Sequence, residues 1–168
     1  MTYFKRPLFM ILIGGALYFA SLVIPKEGDQ VVVYEGTDLT MNEAQDEALR
    51  SLPDFLAHKL DADSAMLKVA FPVSNAQGNG FEVIWVGAVQ RDGESFAGNL
   101  ANAPVDIDAN LGDIVEFSQD MIRDWTYRGG DGKLYGNYTT RVMLSSLAKD
   151  QADQIAAALS ASPLPTAW

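Results

Sequence analysis

Residues 113–144 constrain the fold more than any other stretch. Two segments rich in aromatic and β-branched residues, 121–128 and 133–144, flank Gly129-Gly130-Asp131-Gly132. These glycines supply the positive φ angles that a chain reversal needs, so the spacing predicts a β-hairpin, the fifth and sixth strands of a sheet. Trp125, Tyr127, Tyr135 and Tyr138 are its aromatic anchors.

Upstream, the apolar pattern predicts four further strands. Leu67, Val69 and Phe71 alternate within Met66–Phe71 up to Pro72, and Phe81–Val89 is nearly continuous in apolar residues, which suits a central strand. The turn at Arg91–Glu94 leads into Ser95–Leu100, and Asp113–Phe117 follows a loop. Thr40 and Glu43 have the spacing of a capping box, ahead of Met41, Ala44, Ala48, Leu52, Phe55 and Leu56 at helical intervals. Pro53 predicts a kink or break near Leu52. Ala148–Ser160 predicts an exposed helix with a thin apolar edge, and Ser162–Trp168 a tail in which Trp168 is either docked or a handle for a partner.

The opening of the chain has a different character. Residues 7–24 are an uncharged 18-residue run preceded by Lys5 and Arg6. As a helix it would span ~27 Å, close to the ~30 Å hydrocarbon core of a bilayer. The basic residues before it predict a cytoplasmic N-terminus, with the rest of the chain on the periplasmic or extracellular side. The run reads as an uncleaved single-pass anchor. A cleaved signal peptide is the rival reading, with Gly14, Ala16 and Ala20 as its small residues. Residues 26–39 read as a tether, with Val31–Tyr34 able to form a short strand. Residues 40–147 form the folded domain, and 148–168 the C-terminal helix and tail.

The expected fold class is therefore α+β: a curled antiparallel sheet of about six strands packed by a kinked N-terminal helix, with a single N-terminal transmembrane helix and a short C-terminal helix.

Composition narrows the function. The formal charge of −10 argues against binding nucleic acid, because neutralising phosphates needs clustered Lys and Arg. There are no cysteines, so disulfides, thiolate metal sites and a lipid-bearing cysteine are excluded.

Six blocks, taken as a set and in order, resemble the YegJ-like family of bacterial proteins. They are Leu67–Pro72, Glu82–Val86, Gly98–Pro104, Leu111–Val115, Ile122–Tyr127 and Gly132–Val142, within a span of about residues 38–147. The resemblance implies a bacterial domain of unknown function with no established catalytic residues.

Among individual residues, Asp124 stands beside Trp125, and strand alternation points the two to opposite faces. If 133–144 is a strand, Asn137, Thr139 and Arg141 share one side of it, which makes an Asp124–Arg141 pair geometrically feasible. Trp85, Trp125, Tyr127, Asn137 and Tyr138 would mark a ligand site on the concave side of the sheet and its rim. Such aromatics also fill small cores. Asp106, Asp108 and Asn110 copy the first oxygen-ligand positions of a calcium loop, but Leu111 and Phe117 stand where Gly and Glu belong. His58 is the sole histidine, so no zinc site or catalytic triad is expected, and the glycine run opens a strand instead of a helix, which gives no phosphate cradle. No cofactor or metal is expected.

The reading that follows is a membrane-anchored, exported binding or protein-interaction module without catalysis, contacting the membrane through residues 7–24 and an unknown protein or small-molecule ligand through the aromatic rim. The alternative is a carboxylate-based hydrolase or lyase acting on cell-envelope material, with Asp124 as base. A third expectation is a scaffold that works through the C-terminal helix and Trp168.

Overall fold

A computed structural model describes residues 39–75 and 78–168. Helix α1 (Leu39–His58) packs against a six-stranded sheet of β1 (Met66–Asn75), β2 (Gly78–Asp92), β3 (Ser95–Leu100), β4 (Ile114–Ser118), β5 (Ile122–Arg128) and β6 (Leu134–Gly136). Helices α2 (Tyr138–Met143) and α3 (Lys149–Ala158) follow. The strand order is β4-β3-β2-β1-β5-β6, with every neighbouring pair antiparallel.

The core forms where the period of two in the strands meets the period of 3.6 in α1. Leu67 and Val69 on β1, with Ile84 and Val86 on β2, are at most 1% exposed, as are Ala48 and Phe55 on α1. Phe55 stacks on Trp125 with ring centroids 4.9 Å apart. A register shift between Lys68 and Val69 leaves Arg123 as an extra residue in β5. Ile122 and Trp125 both reach the core as a result, with Arg123 and Asp124 between them.

Four expectations need correction or completion. First, α1 does not break at Pro53. Proline removes one helical donor, and here that loss falls on the solvent side: Pro53 is exposed, while its neighbours Leu52 and Phe55 are buried. Among the described residues the helix runs from Leu39, so Thr40 and Glu43 both lie within it.

Second, 133–144 is not one strand. β6 ends at Gly136, and Gly136 and Asn137 adopt φ of 69° and 55° in succession, turning the chain off the sheet into α2. A Cβ at Gly136 would lie 2.1 Å from the Trp125 carbonyl oxygen, so only glycine can make this approach.

Third, the expected transmembrane helix at 7–24 and the strand at Val31–Tyr34 lie outside the described residues. Among the described residues no helix is long and apolar enough to cross a membrane. Among the described residues the fold is accordingly α+β, a six-stranded antiparallel sheet with three α-helices.

Fourth, Trp168 is docked, with its ring centroid 5.6 Å from that of Trp125 and 6.3 Å from that of His58.

Candidate functional site

β5 carries the predicted site residues to two faces. Trp125 and Tyr127 point into the core at 0% and 5% exposure. The Trp125 indole N–H donates to Ala48 O and Ser51 Oγ, each at 3.1 Å, which satisfies its one polar atom without solvent. Tyr138 lies edge-on to Trp125 at 5.9 Å, with its hydroxyl 3.1 Å from Ser51 Oγ. Tyr127 stacks on Tyr135. These aromatics fill the core and line no open cleft.

Asp124 faces the other way and is also fully buried. Its Oδ2 accepts from the Thr139 N–H at 2.8 Å and from the Thr139 hydroxyl at 2.7 Å, while Oδ1 accepts from the Trp125 N–H at 2.8 Å. A strand residue thereby satisfies the free N–H of a helix first turn, a cap supplied across the fold. Lys68, opposite Asp124 in the β1–β5 register, donates to Thr139 Oγ1 at 3.0 Å. Its ammonium also sits 5.5 Å from the ring centroid of Trp85, its partner on β2. A row of Trp85, Lys68 and Asp124 thus crosses three strands and ends at Thr139.

Burial pushes the Asp124 carboxyl above its ordinary range, with Lys68 and the Thr139 and Trp125 hydrogen bonds pulling the other way. Burial also lowers the Lys68 ammonium, opposed by Asp124. Desolvation is the largest influence on both groups, with Asp124 fully buried and Lys68 half-buried beneath Trp85. Every fully buried side-chain N or O atom among the described residues has a partner.

Arg141 does not pair with Asp124. Because α2 replaces the expected strand, Arg141 is carried toward the C-terminal tail, where it donates to Gly136 O at 3.1 Å, Ser160 O at 2.9 Å and Ser160 Oγ at 3.0 Å. Asn137 is 5% exposed and donates to Thr126 Oγ1 at 2.5 Å. Of the seven predicted site residues, only Trp85 and Arg141 retain any substantial exposure. With three hydrogen bonds on its carboxylate and no exposed surface, Asp124 is not presented to a substrate in this geometry.

In the Asp106–Asp113 loop the Asn110 N–H donates to Asp113 Oδ2 at 2.8 Å, and the Asp113 N–H donates back to Asn110 O at 3.0 Å. Among the described residues no group of three or more His, Cys, Asp or Glu side chains is placed to hold a metal ion.

Sequence reasoning missed Lys68, Ser51 and Glu82, and named Thr139 only as a strand neighbour of Arg141. Glu82 accepts from three successive backbone N–H groups, Val105, Asp106 and Ile107, at 2.6 to 3.0 Å, and so ties the β3–β4 connection to β2. The one available signal was a lysine inside an otherwise apolar strand. The open surface nearest this row is also on β2: Phe81 and Val83 are 66% and 44% exposed and share a face with Trp85 by alternation.

Fold and site together define a small α+β domain whose most unusual residues form a closed polar cluster behind a half-open aromatic strip. Residues 38–160 match the family described as "Uncharacterized protein conserved in bacteria (DUF2314)", and the chain belongs to that family. It is 26% identical over 153 residues to "Uncharacterized protein YegJ" of Escherichia coli (strain K12), a match that covers 89% of this chain and 97% of the relative. No solved structure matches it.

Proposed function

We propose that this domain is a non-catalytic protein-interaction module, exported across a bacterial membrane, associated with that membrane through residues 7–24, and contacting its partner through the outer face of β2. The observation that carries the contact surface is the strip Phe81, Val83 and Trp85. Two of its side chains, Phe81 and Val83, are exposed apolar groups, and Phe81 is the one exposed Phe, Trp or Tyr among the described residues. Clustered exposed apolar residues on one strand face favour burial against another protein. The charge of −10 disfavours direct contact between the domain and an anionic lipid surface. The location rests on the uncharged opening run and the basic residues before it.

A photo-crosslinking residue at Phe81, in the full chain expressed in bacteria, tests the surface. The expected result is a discrete crosslinked partner that is lost when Val83 is changed to Ser, with folding unaltered. Crosslinks no stronger than those from an exposed control position such as Ser145 would count against it. A reporter fused after Trp168 that is active only in the cytoplasm would refute the proposed location.

A further inference from the structure

The outer edge of β6 is already occupied. The tail bridges to it in parallel at Leu134 and Leu159, the Ser160 N–H donates to Leu134 O at 2.9 Å, and the Gly136 N–H donates to Pro163 O at 2.8 Å. Leu159 and Ser160 are 7% and 6% exposed. The Arg141 guanidinium joins both sides of the seam, reaching Gly136 O on one side and the Ser160 carbonyl and hydroxyl on the other. The tail therefore fits this edge as a strand with a specific polar clamp.

The chain leading to it is held differently. No residue from Leu144 to Ala158 is buried. A segment that buries little opens at low free-energy cost, so a well-fitted strand hangs on a loosely held connection. Extended, these residues would reach ~50 Å, enough to bring the tail to a neighbouring molecule.

We propose that the β6 edge is an exchangeable strand-binding site, and that residues 159–163 of a second copy of this chain take the seat to form a reciprocally exchanged dimer. The edge is matched to this chain's own sequence: an N–H for Leu134 O, a carbonyl for the Gly136 N–H, and a serine for Arg141. Every copy carries that strand, and exchange needs the connection to open and the tail, with its docked Trp168, to leave its own seat for the partner's. The inference concerns a surface separate from the β2 strip and does not depend on it.

The absence of native cysteine allows a direct test in the full chain. One preparation carries Leu134→Cys and the other Leu159→Cys, so a disulfide between the two chains requires the tail of one to lie on the edge of the other. Mixed at high concentration under mild oxidation, the pair is expected to form covalent heterodimer at roughly tenfold the yield of a control pair in which Ser145→Cys replaces Leu159→Cys, because a seated strand raises effective concentration. Lys133→Cys with Ala158→Cys, flanking the same seam at an exposed and a half-buried position, is the second pair should the buried changes disturb folding. A yield equal to the control from pairs that are folded by circular dichroism overturns the proposal. Phe81→Ser should leave the yield unchanged, and its loss in that variant would assign the dimer to the β2 face instead.

Discussion

Asp124 and Thr139 meet through two hydrogen bonds onto one carboxylate oxygen, from the Thr139 N–H at 2.8 Å and its hydroxyl at 2.7 Å. The pair joins the middle of β5 to the first turn of α2, and Lys68 closes the group by donating to the same hydroxyl. The consequences of disturbing it follow from which partner is left buried and alone.

Asp124→Ala should destabilise the domain by about 3–5 kcal/mol, because it removes the opposite charge beside the half-buried Lys68 and strands a buried helix N–H. Thr139→Val should cost about 1–3 kcal/mol, since the backbone bond survives. Urea unfolding at neutral pH measures both. An Asp124→Ala variant as stable as the parent would show that the cluster carries no net stabilisation.

The same cluster sets a pH dependence. The Asp124 carboxyl is raised above its ordinary 3.8 by burial, so its contribution to stability is full below pH 3.8 and is lost as pH rises through the folded-state value. Lys68 is lowered from its ordinary 10.5 by burial, so its contribution is full above pH 10.5 and is lost as pH falls through the folded-state value. The stability of the parent minus that of Lys68→Met should therefore increase from neutral pH toward 10.5. Urea midpoints across that range give the slope, and a flat difference would mean that Lys68 is not desolvated.

Trp125→Phe keeps most of the stacking on Phe55 but removes the indole N–H that reaches Ala48 O and Ser51 Oγ. The expected cost is about 1–3 kcal/mol for acceptors left without that donor, compared with about 3–5 kcal/mol for Trp125→Ala, which also opens a cavity. Thermal unfolding of the two variants side by side should reproduce that order.

Gly136→Ala should be among the most damaging single methyl additions in the chain. Its Cβ would lie 2.1 Å from Trp125 O and 2.6 Å from the Trp125 ring, at a φ of 69° that alanine also disfavours. Soluble yield and melting temperature should both fall sharply, whereas Gly130→Ala, whose Cβ meets nothing within 4 Å, should behave as the parent.

Much of the sheet was legible because alternation is local. Leu67, Val69, Ile84 and Val86 announce their inward face by spacing alone, and Gly93, with φ of 62°, forms the predicted reversal between β2 and β3. The end of β6 was not legible. Tyr138–Met143 is rich in β-forming residues (Tyr138, Thr139, Thr140 and Val142), yet it is helical because Gly136 and Asn137 turn the chain and Asp124, fourteen residues upstream of Tyr138, caps the first turn. Pro53 does not end α1, because it sits on the exposed side of the helix, which only packing decides.

Sequence alone therefore determined the alternating strands, the amphipathic α1, the acidic cysteine-free composition and the family, since each is written in residues near one another or in blocks read in order. Tertiary structure alone decided that Asp124 is sealed by Thr139 and Lys68, that Arg141 clamps Ser160, and that Trp125 and Tyr138 lie inside. Those outcomes depend on contacts across the register of separate strands, where a one-residue shift such as the bulge at Lys68 and Val69 changes which side chains can meet.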